Sequence, residues 1–134
     1  MAVIAEVEAE HEVRLVRAWA VVDAGRAVEP DGILNQIEGG IIQSASWALK
    51  EQIKFVDGLP DLHTWLDYPI LGFADTPELD VHLIDRPDEP AVGVGEGAAG
   101  PATAAVANAV KAALGVPVRD LPLTPERIMR AILQ

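Results

Sequence analysis

Val3 to Glu8 and Val13 to Val22 both alternate apolar with polar residues, and a short acidic connection carrying His11 joins them. A period of two puts every second side chain on one face of an extended strand, so the pair reads as an antiparallel hairpin with one face turned inward. The second arm ends in Asp23-Ala24-Gly25, a turn. What covers the hairpin is constrained by composition. Half of the 134 residues are apolar but only 4% are aromatic, so the core must be built from alanine, valine, leucine and isoleucine, which suits close-packed helices on a sheet.

The period then changes. After Asp31-Gly32 the spacing predicts a helix from about Leu34 to Gln52, with Ile37, Ile41, Ala45, Ala48 and Leu49 on its apolar face. Gln36, Gly40, Gln43, Ser44 and Trp47 fall on the neighbouring stripe. The adjacent glycines 39 and 40 together cost about 2 kcal/mol of helix propensity relative to alanine. Tight helix–sheet packing, expected first at Gly39, or close approach of a ligand or neighbouring backbone would compensate.

From Phe55 to Glu89 the chain reads as strand and loop punctuated by prolines, with Leu79 to Ile84 the clearest strand. Gly100-Pro101 marks the start of an alanine-rich helix, and Gly115 with Pro117 its end. Thr124-Pro125-Glu126 supplies an N-cap, a proline at the first helical position and a first-turn acid for a last helix running to the C-terminus. The expectation is a single α+β domain over residues 1–134, with an N-terminal β-hairpin and about three packed helices. This length buries about two-thirds of the unfolded surface without disulfides or metals.

A net charge of −11 repels phosphate backbones and anionic membranes, which argues against nucleic acid as a partner. No run is apolar and long enough for a membrane span. The start shows no secretory signal, so cytoplasm is the default expectation. With no cysteine, the chain cannot ligate an iron–sulfur cluster through thiolates, and any such cluster must lie on another chain.

Between the strand-rich segment and the alanine-rich helix stands Gly93-Val94-Gly95-Glu96-Gly97. Lacking Cβ atoms, alternating glycines let backbone pass close to a ligand and open positive φ values, and a carboxylate set among them could meet a bound molecule. Taken alone, the pentapeptide is equally a connection whose Glu96 is a solvated charge near a helix dipole. Its spacing misses G-x-G-x-x-G and its acid would repel a pyrophosphate, so it is not a dinucleotide loop. Histidines 11, 63 and 82 are scattered without metal-ligand spacing and suit surface or edge-strand positions. No nucleophile elbow is present.

In order along the chain stand Asp23-Ala24-Gly25-Arg26-Ala27-Val28-Glu29-Pro30-Asp31-Gly32, Asn35-Gln36-Ile37-Glu38-Gly39-Gly40-Ile41-Ile42-Gln43, Asp67-Tyr68-Pro69-Ile70-Leu71, Gly93-Val94-Gly95-Glu96 and Val118 to Ile128. This set resembles the C-terminal region of the molybdopterin-binding large subunit of the xanthine dehydrogenase and aldehyde oxidase family. The branch with isoquinoline 1-oxidoreductase and nicotinate dehydrogenase is the most similar. The resemblance runs from about Val3 to Leu133 and implies an α+β fold with a mixed sheet, an N-terminal β-hairpin and about three packed helices.

The resemblance implies a part of a molybdenum hydroxylase, an oxidoreductase that hydroxylates an electron-poor carbon of an N-heterocycle or aldehyde with oxygen from water. It implies molybdopterin as cofactor, with iron–sulfur clusters on a partner subunit. Glu96 matches the family's general base, a role that burial would favour by raising its pKa. Gln36, Gly93, Val94, Gly95, Gly97 and, more weakly, Gln43 are implied to lie by the cofactor, and no residue is implied as a metal ligand. Glu38 suits an electrostatic role near a helix N-terminus.

Family large subunits are far longer, so the chain is expected to be inactive alone. Its implied partners are the remainder of the large subunit or a separately encoded chain, an iron–sulfur small subunit and a small-molecule substrate. Exposed apolar surface is expected around Gln36 to Trp47 and the Gly93 turn. A full-length subunit could carry an export signal ahead of this region. The alternative is a non-catalytic scaffold or interaction domain that keeps the fold, and the two readings differ on Glu96.

Overall fold

The computed structural model describes residues 1–133. Strands β1 (Ala2–Ala9) and β2 (Val13–Asp23) form the expected antiparallel hairpin, and β5 (Glu78–Ile84) adds parallel to the far side of β2, giving a mixed three-stranded sheet of order β1-β2-β5. Short strands β3 (Phe55–Val56) and β4 (Leu59–Pro60) make a separate hairpin. The helices are α1 (Pro30–Leu49), α2 (Ala99–Leu114) and α3 (Pro125–Ile132). The expectation that the last helix reaches the C-terminus includes Gln134, which lies outside the described residues.

The alternation in β2 cannot be uniform, because Val13 and Val22 lie an odd number of residues apart and would face opposite sides of a regular strand. The pairing steps from Glu6↔Arg17 to Val7↔Leu15, leaving Val16 without a partner. This β-bulge resets the phase. Val13 and Leu15 face the core before it, and Ala18, Ala20 and Val22 face the same core after it.

That core is slender. Ala18, Ala20, Ala45, Ala48, Ala98 and Ala102 are buried beside Ile37, Ile41, Val106, Val110 and Leu123, and among the described residues no aromatic is buried. Alanine on both sides lets α1 and α2 lie close to the sheet and to each other.

Helix α1 begins at Pro30, ahead of the expected Leu34, and ends at Leu49 instead of Gln52. Pro30 takes the first helical position, where its missing N–H costs nothing, and the Glu29 carbonyl accepts from the Ile33 N–H at 3.1 Å. The paired glycines divide differently from the expectation. A Cβ on Gly40 would stand 2.9 Å from the Ala98 Cβ, so Gly40 permits the contact of α1 with the start of α2. Gly39 is exposed with nothing within 4 Å, so the tight packing lies at its neighbour and is between helices.

Helix α2 starts at Ala99, and Gly115, with φ of 76°, caps its end through its N–H to the Lys111 carbonyl at 2.9 Å. Thr124 caps α3 by accepting from the Arg127 N–H. Among the described residues no helix is long and apolar enough to cross a membrane.

Candidate functional site

The β2–α1 connection and the segment before α2 are sewn together, and this places the glycine turn. At Gly25 the backbone takes a φ of 64°, and a Cβ there would stand 2.0 Å from the Pro90 carbonyl oxygen, a position only glycine can fill. The Val92 N–H donates to the Ala24 carbonyl at 2.9 Å, and the Arg26 N–H to that of Glu89 at 3.1 Å. Arg26 Nε donates to the Pro87 carbonyl at 2.8 Å.

Arg86 closes the seam with Asp23 at 2.7 Å and Glu89 at 2.8 Å. Its guanidinium, with the Gly25 N–H, holds the Asp23 carboxyl below the usual range. The chain therefore reaches Gly93 fixed against the start of α1.

From α1, Gln36 completes the placement. Its Nε2 donates to the Gly95 carbonyl at 2.8 Å. Gln36, Gly93, Val94 and Gly95 line one shallow open groove of about 390 Å³ together with Arg26 and Glu29. Glu96 and Gly97 follow in the turn that leads into α2. The Gly97 N–H reaches the Val94 carbonyl at 3.3 Å, and the Ala99 N–H that of Glu96 at 3.2 Å.

The glycines of this turn are not there for positive φ, contrary to one expectation. The positive-φ glycines among the described residues are Gly25, Gly58 and Gly115. A Cβ on Gly93 or Gly95 would meet nothing within 4 Å, and one on Gly97 only its own turn. With Gly39, these glycines leave open space on the outer surface rather than relieving crowding within the chain.

The remaining sequence-marked residues divide. Glu96 is exposed and is not buried by any part of this chain. Gln43 is exposed farther along α1 and does not line the groove. Ser44 leaves the proposed stripe altogether, because it is buried and its Oγ donates to the Gly40 carbonyl at 2.6 Å. Glu38 is half-buried, while His11, His63 and His82 are exposed, with His82 on edge strand β5.

Sequence reasoning assigned no role to Asp23, Arg26 or Arg86. The signal available was Asp23-Ala24-Gly25, since an aspartate two residues before a glycine commonly accepts from its N–H, as Asp23 Oδ1 does at 3.0 Å.

Residues 1–77 match the family model described as the molybdopterin cofactor-binding domain. A nicotinate dehydrogenase subunit of Pseudomonas putida is 43% identical over 121 residues, which are 90% of this chain and 10% of that protein. The beta subunit of isoquinoline 1-oxidoreductase of Brevundimonas diminuta is 33% identical over 93% of this chain and 16% of its own length. The crystal structure of quinoline 2-oxidoreductase from Pseudomonas putida 86 superposes with a TM-score of 0.81 at 35% identity, covering 91% of this chain and 16% of that one. The chain thus spans about a tenth to a sixth of the relatives that it matches.

Proposed function

The chain belongs to the molybdopterin cofactor-binding domain family, among the molybdopterin-binding subunits of the xanthine dehydrogenase family, and on that premise we propose that it forms one wall of a molybdenum hydroxylase active site. The observation that carries this reading is the Gln36–Gly95 hydrogen bond. It joins the two segments that the sequence marked independently, and Gln36, Gly93 and Gly95 are all exposed.

The residues fit such a cofactor. Gly93 and Gly95 provide a surface without Cβ atoms at which a flat polar ring system can approach backbone N–H and C=O groups, beside Gln36 in the same groove. In this reading Gln36, Gly93, Val94, Gly95 and Gly97 border molybdopterin, with Gln43 more distant. The cofactor, when bound, supplies the two-electron redox centre for hydroxylation of an electron-poor carbon with oxygen from water.

Glu96 is the base. Its carboxylate takes up the proton released as the water-derived oxygen becomes a nucleophile, and the turn holds it at the mouth of α2, beside the cofactor surface. A carboxylate is a stronger base when desolvated, and the exposure of Glu96 leaves that task to polypeptide beyond this chain. The chain is accordingly the C-terminal part of a molybdopterin-binding subunit. It neither holds the cofactor tightly nor turns over substrate alone. Its working partners are the rest of that subunit and an iron–sulfur small subunit, and its substrate is an N-heterocycle or an aldehyde.

The test is reconstitution with the rest of a related subunit, comparing wild type with Glu96→Gln. Turnover lost with molybdenum retained supports the base. Unchanged turnover overturns it and leaves the scaffold reading, in which the fold serves only to bind a partner.

A further inference from the structure

The largest aromatic side chains of this protein are held away from its core. Between Ile53 and Phe73 the chain leaves α1 and crosses the surface, exposing Phe55, Leu59, Leu66 and Ile70, with Trp65 and Phe73 at 95% and 102% exposure. The expectation of apolar surface near Gln36 and the Gly93 turn is met by Val28, Trp47 and Val92, but the broader patch is here.

This arm is built, not loose. Asp67 Oδ2 accepts from the Thr64 N–H at 2.7 Å and the His63 N–H at 2.9 Å, closing the turn that carries Trp65 and Leu66. Lys50 Nζ pairs with Asp75 at 2.6 Å, Tyr68 donates its hydroxyl to Glu51 at 2.8 Å, and the Leu71 N–H donates to Ser46 Oγ at 3.0 Å, so the end of α1 and the two residues after it hold the C-terminal half of the display.

Beside it runs a groove lined by Lys50, Lys54, Arg127 and Arg130 with the acids Asp67 and Glu126. Four of the ten basic residues of a chain with net charge −11 gather there. Lys50 is taken up by Asp75 and the arm itself carries Asp57, Asp61 and Asp67, so the cations offered on its flank are Lys54, Arg127 and Arg130, and an apolar crest beside them suits a surface with apolar pockets bordered by carboxylates. Pairing of two copies through this face is opposed by the repulsion of two bodies that each carry a net charge of −11.

We propose that residues 53–73 form the docking arm by which this chain attaches to the rest of its molybdopterin-binding subunit. That polypeptide presents apolar pockets for Trp65 and Phe73 and carboxylates toward Lys54 and Arg130. The proposal rests on the reading of the chain as part of such a subunit. The relatives supply the occupant: their polypeptides are many times longer than the part matched here, and the match covers nine-tenths of this chain. Large exposed aromatics held in pockets are the commonest anchors of protein interfaces.

The probe is the nicotinate dehydrogenase subunit of Pseudomonas putida lacking its matching 121-residue segment, shown folded by circular dichroism and titrated with the full chain by calorimetry at two salt concentrations. Binding by the wild type should weaken at least tenfold in Trp65→Ser/Phe73→Ser and in Lys54→Glu/Arg130→Glu. The wild-type affinity should fall as salt rises. Circular dichroism and the melting temperature of the serine variant should stay unchanged, since both side chains are exposed.

Absence of wild-type binding, or equal binding by the serine variant, overturns the proposal. So does a dimer of the chain alone that the serine substitutions break, which would assign the arm to a second copy. Molybdenum content of the complex is read separately. A complex that forms through the arm but holds no cofactor overturns the function proposed above and leaves the docking arm standing.

Discussion

Gln36 Nε2 and the Gly95 carbonyl oxygen, residues of α1 and of the turn before α2, stand 2.8 Å apart and tie the two segments into one surface. Gln36→Ala should loosen the turn without unfolding the protein. A neutral hydrogen bond contributes about 1 kcal/mol and less where water competes. Denaturant stability should therefore drop by at most about 1 kcal/mol, while the Gly97 amide, bonded within the turn, exchanges several-fold faster. Equal exchange in the two proteins would show that the turn holds itself.

Gly25→Ala should do more damage from farther away. The substitution places a Cβ 2.0 Å from the Pro90 carbonyl and asks alanine to adopt a φ of 64°. The left-handed backbone alone costs about 1–2 kcal/mol, and the clash adds to it. Urea denaturation should show a loss of at least about 2 kcal/mol, with release of the Val92 N–H from the Ala24 carbonyl visible by amide exchange.

Acid should loosen the same seam before the core. The Asp23 carboxyl lies below its ordinary value of 3.8 because Arg86 and the Gly25 N–H stabilise its charge, and Asp75 lies low because of Lys50 and the Gly72 N–H. A carboxylate with a depressed folded pKa stabilises the fold above its unfolded pKa, and that contribution is lost as pH falls through the folded value. Below about pH 4 the carboxyl carbon shifts of Asp23 and Asp75 should titrate late relative to exposed carboxylates. Arg86→Gln should move the Asp23 titration to higher pH, and an unmoved midpoint would dismiss the pairing.

The hairpin, the strand at Leu79 to Ile84 and three helices were legible because period and capping are local, whereas the mixed sheet, which needs β5 parallel to a strand far away in the sequence, came with the family resemblance. The bulge at Val16 was legible in principle, since the odd spacing of Val13 and Val22 forbids a shared face in a regular strand. Trp65 and Phe73 were not, because a hydrophobicity pattern does not distinguish a ring packed inside from one displayed outside. At the site, Gln36 and the glycine turn were found as separate motifs, whereas their contact depends on the Asp23–Arg86 seam, whose members lie far apart in sequence.

Gly39 and Gly40 offer the sharpest contrast, because the same substitution should act in opposite directions at neighbouring positions. Gly40→Ala gains about 1 kcal/mol of helix propensity but brings a methyl to 2.9 Å from the Ala98 Cβ, and overpacking of that kind costs about 1–3 kcal/mol. Its net effect on the isolated chain should be destabilising, read by thermal denaturation. Gly39→Ala meets nothing within 4 Å and should stabilise by about 1 kcal/mol. If Gly39 is kept for something outside the chain, the more stable Gly39→Ala protein should retain less molybdenum than wild type after reconstitution with the rest of a related subunit. Equal metal content in the two would mean that the open face at Gly39 borders solvent rather than the cofactor.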